Sequence, residues 1–268
     1  MSMTAQKQAP LPGTRPAGTR DEREASARVR EMFSRIAPRY DFLNHLLSFS
    51  LDHVWRRRTA NQFAHILRRT DARVLDLCCG TGDLAFALAG KRKAAGVSDR
   101  ADPGVPAAPV LGTDFVEPML ERADKKARDG GYAAAFAAAD TLNLPFADAS
   151  FDLVTTAFGF RNLVNYEHGV CEIARVLKRG GEVGILEFTE PRTGPIAVLF
   201  RFYFRHVLPR IGGAISGNSE AYAYLPGSVA KFPSPPELAA LMEKIGFRDV
   251  HIASWNFGSV ILHSARRG

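Results

Sequence analysis

The stretch Val74-Leu75-Asp76-Leu77-Cys78-Cys79-Gly80-Thr81-Gly82-Asp83-Leu84 decides the fold. A short, largely apolar run ends in a glycine-bearing turn, and a helical pattern starts at once over Asp83–Ala89. A buried strand turning straight into a helix opens an α/β sheet, and ligands bind in the crevice at the carboxyl end of such a strand. Gly80 and Gly82 allow the backbone to approach a ligand that a Cβ would hold off. The first N–H groups of the helix face the same space.

Outward from this unit, short apolar strands alternate with helices. Strands are predicted at Arg73–Leu77, Pro109–Thr113, Ala133–Ala139, Phe151–Thr156 and Gly181–Phe188, with helices at Asp83–Ala89, Glu117–Arg128 and Glu167–Leu177. Phe247–Ala253 and Ser259–Ala265 close the pattern as a strand pair. The alternation implies an α/β fold, a mostly parallel seven-stranded sheet with helices on both faces. Upstream, apolar residues recur at helical spacing over Val29–Ile36, Tyr40–Leu47 and Val54–Leu67, which together make an N-terminal helical cap over residues 25–70. Residues 1–24, polar and broken by prolines and glycines, are expected to be a disordered leader before a single domain at 25–268. Residues 91–108 have the composition of an exposed loop insertion.

Composition narrows the class. With 46% hydrophobic residues the chain is globular, and its 3 cysteines, two of them the adjacent Cys78 and Cys79, exclude a disulfide scaffold and suit a reducing, cytoplasmic compartment. No apolar run approaches the ~20 residues that span a bilayer, and the first residues lack the apolar core of a signal peptide. The net charge of +7 favours anionic partners without choosing among phosphate, nucleic acid and a lipid surface.

Charge also separates the ligands that a glycine turn can take. Gly80-Thr81-Gly82-Asp83-Leu84-Ala85 satisfies the dinucleotide fingerprint, so a nicotinamide-dependent reductase is one reading. A dinucleotide brings a pyrophosphate to the turn, however, whereas S-adenosylmethionine brings a sulfonium and an ammonium. Asp76 and Asp83 flank the turn and suit cationic groups. Asp114, at the tip of the second strand, is placed to accept from both ribose hydroxyls, with the 91–108 insertion explaining its long separation from the turn. Asp140 and Thr141 follow the third strand, where they suit an adenine amino group, and Phe115 and Leu142 are placed to sandwich the ring. In this order the strand tips resemble the S-adenosylmethionine-dependent methyltransferases of the Rossmann-like class. The cofactor set is then Asp76, Gly80, Thr81, Gly82, Asp114, Phe115, Asp140 and Thr141.

Three further motifs narrow the resemblance. Tyr40-Asp41-Phe42-Leu43-Asn44-His45-Leu46-Leu47-Ser48 with Trp55, Phe158-Gly159-Phe160-Arg161-Asn162, and Arg175-Val176-Leu177-Lys178-Arg179-Gly180-Gly181 running to Leu186-Glu187-Phe188 are similar to the quinone-biosynthesis C-methyltransferases. The chain departs from the family pattern at Leu43, Asp52, Ala157, Arg179 and Thr189, none of them in the glycine turn. The resemblance implies methyl transfer to a ring carbon of a reduced polyprenyl quinol, either demethylmenaquinol or the benzoquinol precursor of ubiquinone. Such a reaction needs a stabilised phenolate and a base or ordered water. The resemblance makes Arg161 and Asn162 the candidates for the phenolate, Tyr40, Asp41 and Asn44 lid residues, and Glu187 a weaker support. A carboxylate partner for Arg161 and a capping role for Asp41 are the bland alternatives.

The aromatic, acid-free segment 195–208, with Arg201 and Arg205 one turn apart, suits either an interfacial helix that admits the substrate's tail or a core helix with snorkelling arginines. RNA methylation is permitted by charge but lacks an appended RNA-binding domain. No His, Cys and carboxylate cluster has the spacing of metal ligands, so no metal is expected.

Overall fold

Seven strands, β1 (Val74–Leu77), β2 (Val110–Asp114), β3 (Ala134–Ala138), β4 (Phe151–Ala157), β5 (Leu177–Phe188), β6 (Phe247–Trp255) and β7 (Val260–Arg267), form one sheet in the order β3-β2-β1-β4-β5-β7-β6. β7 runs antiparallel to both its neighbours, and β1 to β5 pair in parallel. The computed structural model describes residues 13–41, 45, 48–97, 107–191, 198, 202–207, 210 and 219–268.

All four positions of β1 are buried, as a parallel strand covered on both faces requires. Leu75 and Leu77 join a core with helices α6 (Tyr166–Val176) and α8 (Pro235–Ile245). Val74 points the other way, into a cluster with α2 (Leu51–Gln62), α3 (Ala64–Leu67) and α4 (Asp83–Ala94). Helices α1 (Glu22–Ile36) and α5 (Glu117–Gly130) meet at the carboxyl ends of the strands, where Met32 and Ile36 pack against Val116 and Met119. Helix α1 starts where Asp21 accepts the Glu24 N–H, and it buries Ala25, Val29, Met32 and Ile36 along one stripe. Helix α7 (Ser219–Lys231) packs against α1.

Several expectations are corrected. The leader was expected to lack structure up to residue 24, yet Thr14 is buried, its N–H donating to the Leu163 carbonyl at 2.8 Å, and α1 begins at Glu22. Residues 1–12 lie outside the described residues. The insertion begins later than 91: α4 continues to Ala94, and Arg92 is buried, donating to the carbonyls of Ala72 and Ala108 at 3.2 and 3.4 Å. Arg92 thus supplies donors to carbonyls just ahead of β1 and β2, and its charge stands in the last turn of α4, where the helix dipole favours a cation. Residues 98–106 are not described. The third cap helix breaks at Phe63. Of the second, residues 42–44 and 46–47 lie outside the described residues, as do 195–197, 199–201 and 208 of the aromatic segment.

His263 on β7 is buried with Nε2 3.0 Å from the Pro235 carbonyl, which requires the N–H on Nε2. Burial holds its pKa below the ordinary 6.5, against the Pro235 carbonyl. Below that value the unfolded chain takes up a proton that the native state refuses. The stability is therefore complete above pH 6.5 and falls as pH drops through it, by about 1.4 kcal/mol per pH unit at most. Urea midpoints for wild type and His263→Gln between pH 7 and 5 test this. The variant is expected to give the shallower profile, and parallel profiles would exclude His263 as the cause.

Candidate active site

The switch point of the sheet lies beside β1, where the chain goes to β2 on one side and β4 on the other. A cavity with about 690 Å³ of empty space, its open mouth included, occupies that place. Cys78 and Gly80 after β1, Asp114 and Phe115 after β2, and Asp140, Thr141 and Leu142 after β3 line it, with Phe158, Gly159 and Asn162 after β4 and Phe33 and Tyr40 from the cap.

Asp114 holds the turn in place. Its Oδ2 accepts the Gly80 N–H and its Oδ1 the Val116 N–H, both at 2.9 Å. Burial raises its pKa, opposed by these backbone donors. Each oxygen keeps a second lone pair for a ligand hydroxyl. Asp140 Oδ1 accepts the Leu142 N–H at 2.9 Å, which sets the loop after β3, and the buried Thr141 hydroxyl lies 3.4 Å from Cys78 Sγ. Phe115 carries the Arg30 guanidinium 5.3 Å from its ring centroid. Cys78 and Phe158, at the ends of β1 and β4, both adopt left-handed backbone, with φ of 49° and 59°. Burial pushes the Cys78 thiol far above the usual range, so it stays protonated and is no nucleophile.

The lining contains two carboxylates and no lysine or arginine. That donor set fits a ligand with ribose hydroxyls and positive charge, and gives a pyrophosphate no counter-ion.

Five of the expected cofactor residues (Gly80, Asp114, Phe115, Asp140 and Thr141) meet in this cavity, and Asp76, Thr81 and Gly82 do not line it. Asp76 lies under the turn, accepting the Thr155 hydroxyl at 2.7 Å, and burial pushes its pKa up to about 7. Gly82 makes room for the rings of Phe86 and Phe136, which a Cβ would meet at 2.7 and 2.9 Å. Thr81 donates to Asp41. Both belong to a chain of charges that bolts the cap to the turn. Lys126 bridges Asp83 at 2.6 Å and Asp41 at 3.2 Å, and Arg56 joins Asp83 to Asp52. Burial works to raise the pKa of Asp83, and the charges of Arg56 and Lys126 outweigh it and leave the carboxyl below its ordinary value.

Among the expected catalytic residues, Tyr40 and Asn162 line the cavity, Asp41 serves the bolt, and Asn44 lies outside the described residues. Arg161 is buried behind the wall. Its Nη1 donates to Glu187 Oε2 at 2.9 Å and its backbone N–H to Glu187 Oε1 at 2.9 Å. The carboxylate-paired reading of Arg161 is thus the observed one. Asn162 Oδ1 is buried with no partner among the described residues, and the residue lines the cavity.

The sequence model of the ubiE/COQ5 methyltransferase family matches residues 21–267. The chain belongs to this family. Demethylmenaquinone methyltransferase of Thermus thermophilus is 47% identical over 236 residues, covering 88% of this chain and 100% of that one. The enzyme of the same name from Deinococcus radiodurans is 46% identical over 228 residues, covering 85% and 88%. Ubiquinone/menaquinone biosynthesis C-methyltransferase UbiE of Geobacter sulfurreducens is 42% identical over 247 residues, covering 91% and 90%. Among solved structures, a SAM-dependent methyltransferase from Thermotoga maritima superposes with a TM-score of 0.58 at 16% identity, over 89% of this chain and 99% of that one. The CurJ carbon methyltransferase gives 0.51 at 14%, over 74% and 49%. The fold is the Rossmann-like fold of S-adenosylmethionine-dependent methyltransferases, and S-adenosylmethionine is the methyl donor of this family member.

Several of this methyltransferase's cavity residues carried no role in the sequence. Phe158 and Gly159 stand in a motif already singled out, whereas Phe33 reaches the cavity only because α1 folds over the sheet. An alanine Cβ at Gly159 would lie 2.4 Å from Cys78 Cβ and 3.1 Å from the Cys78 carbonyl oxygen. Gly159→Ala therefore displaces the strained turn, at a cost of roughly 1–3 kcal/mol. Calorimetry is expected to show at least about tenfold weaker S-adenosylmethionine binding with a lower Tm; unchanged affinity would mean that the turn does not touch the cofactor.

The fold also brings together what spacing hid. Among the described residues His45, Asp52 and His53 place ligand atoms within 4.8 Å of one another. Asp52, though, already accepts from Arg56, from Ser48 at 2.7 Å and from His45 at 2.8 Å, which makes the group part of the bolt.

Proposed function

We propose that this enzyme transfers the methyl group of S-adenosylmethionine to a ring carbon of demethylmenaquinol, giving menaquinol. The observation that carries the reading is the cavity itself. Asp114 and Asp140 give its lining acceptors for ribose and cationic groups, and Phe33, Tyr40, Met119 and Phe158 in the same lining offer apolar and aromatic surface suited to a quinol ring. Its likeness to the demethylmenaquinone methyltransferases of Thermus thermophilus and Deinococcus radiodurans supports the substrate.

Asp114 would accept from the ribose hydroxyls, Phe115 and Leu142 would flank the adenine, and Asp140 and Thr141 would meet its amino group. When bound, the cofactor supplies an electrophilic methyl group. The ring carbon is nucleophilic once the adjacent hydroxyl has lost its proton, and it must then shed its own hydrogen to restore aromaticity. Asn162, with an unpartnered buried Oδ1 at the wall, orients that hydroxyl, and the Tyr40 ring closes the cavity over the turn. Arg161 acts through Asn162 as a positioning residue, because its charge is matched by Glu187. Confinement of the ring against the turn supplies alignment.

The equivalent methylation of the ubiquinone precursor is the second reading, favoured by the likeness to UbiE of Geobacter sulfurreducens. The substrate's tail is proposed to come from the bilayer, with segment 195–208 at that surface and the rest of the enzyme in the cytoplasm. Among the described residues no helix is long and apolar enough to cross a membrane. No role is proposed for nucleic acid. Methyl transfer from labelled S-adenosylmethionine to each reduced quinol in detergent tests the assignment. Product from the naphthoquinol alone fixes the first reading, product from both makes the enzyme dual, and product from neither with cofactor binding intact removes the substrate.

A further inference from the structure

Among the described residues, one arginine without an ion pair stands beside the cofactor cavity. Ser26, Arg30 and Phe33 follow one another at helical spacing on α1 and share one face of it. Ser26 and Phe33 line the cavity. Arg30 between them is exposed, and Glu31, the acid next to it, is taken by Arg35. The Arg30 guanidinium lies instead 5.3 Å from the centroid of the Phe115 ring.

Arg30 also acts on Asp114, where its charge favours the carboxylate against the burial that raises the pKa. The other groups that face Asp114 bring no positive charge. From β1 and its turn come Asp76, Cys78 and Cys79. Backbone N–H groups of Gly80, Phe115 and Val116 donate to it, β3 sets Ala138 beside it, and Asp140 shares the cavity lining. One exposed cation of the cap therefore touches both residues that follow one another at the tip of β2.

We propose that Arg30 is a positioning residue for the adenosine half of S-adenosylmethionine, bracing the Phe115 ring and balancing the charge of Asp114. A guanidinium on one face of a ring leaves the other face to a flat apolar ligand. An ionised Asp114 is an acceptor only, as two ribose hydroxyls require, whereas a protonated one turns an oxygen into a donor. The inference rests on the placement of the cofactor given above.

The test is calorimetry of S-adenosylmethionine with the full chain at pH 8 and pH 5.5. Arg30→Ala is expected to bind about threefold more weakly than wild type at pH 8, through loss of the cation–π contact. The ratio should widen to roughly tenfold at pH 5.5, because Asp114 without Arg30 takes up its proton at higher pH. Taking the ratio to wild type cancels the titration of the cofactor itself. Arg30→Lys returns the charge without the stacking plane, so it should remove the widening and leave part of the pH 8 deficit. Asp76, with its pKa pushed up to about 7, titrates in the same interval. Arg30→Ala is therefore also measured on an Asp114→Asn background, where the ratio should be equal at both pH values. Methylthioadenosine, which lacks the amino acid, should reproduce the ratios seen with the whole cofactor.

Wild-type affinity in Arg30→Ala at both pH values overturns the inference. So does a single ratio at both, which is what a merely structural role would give, and so does a widening that survives Asp114→Asn. If Asp114→Ala also binds as wild type does, the placement of the cofactor falls too. A loss confined to Asp114→Ala keeps the placement and removes Arg30 alone.

Discussion

Asp114→Ala is expected to raise the Kd for S-adenosylmethionine by at least about a hundredfold, with the fold retained. The carboxylate does two things at once. It ties the Gly80 N–H and the Val116 N–H to the end of β2, and its remaining lone pairs face the cavity. Alanine leaves two backbone donors unmatched and removes both acceptors for a diol. A hydrogen bond to a charged group contributes about 1.5–3 kcal/mol, so losing two gives roughly 10² to 10⁴ in affinity. Asp114→Asn keeps one acceptor and should fall between. Calorimetric titration of the cofactor into folded variant measures this directly. A Kd within threefold of wild type would place the ribose elsewhere.

Arg161→Ala is expected to destabilise the protein by about 3–5 kcal/mol, because Glu187 would keep a buried charge with no partner. Glu187 is 0% exposed, and it accepts from the Arg161 guanidinium, the Arg161 N–H and the Phe188 N–H. Glu187→Ala should cost as much from the other side, since Arg161 is equally enclosed. Arg161→Met with Glu187→Gln removes both charges and is expected to recover most of the stability. Turnover should stay low in all three, with S-adenosylmethionine affinity little changed, because the turn that presents Asn162 is shaped by the Arg161 contacts. Urea denaturation with single-turnover kinetics separates the two effects. An unchanged urea midpoint for Arg161→Ala would show that the pair does not carry this load, and a large loss of cofactor affinity would move Arg161 into the cofactor site.

The strand-and-helix order was legible because each element states itself locally. The sheet residues of β1 to β4 are apolar runs, and their tips carry Gly80, Asp114 and Asp140, which have few reasons to stand where they do except a ligand. Legibility fails where a residue's partner is far away in sequence. Arg161 and Glu187, 26 residues apart, pair only once β4 and β5 lie side by side. Thr81 and Asp41, 40 residues apart, meet only when the cap closes. Arg92 in a polar run has the look of a loop until Ala72 and Ala108 supply carbonyls to it. Helix α8 is the opposite case: Ser234 and Glu237 form a capping box, Pro235 opens the helix and Gly246 ends it with φ of 107°, all of them local signals in the sequence.

The place of β7 between β5 and β6 has a kinetic side. A ribosome makes β6 before the strand it pairs with, so Phe247–Trp255 emerges with no sheet edge of its own. Until Val260–Arg267 follows, β5 presents an open edge whose Val183 and Ile185 are destined for the core. Completion of the sheet therefore waits for a hairpin, β6 with β7, to add as a unit, and a nascent chain halted between the two strands is the species most exposed to pairing with another copy of itself.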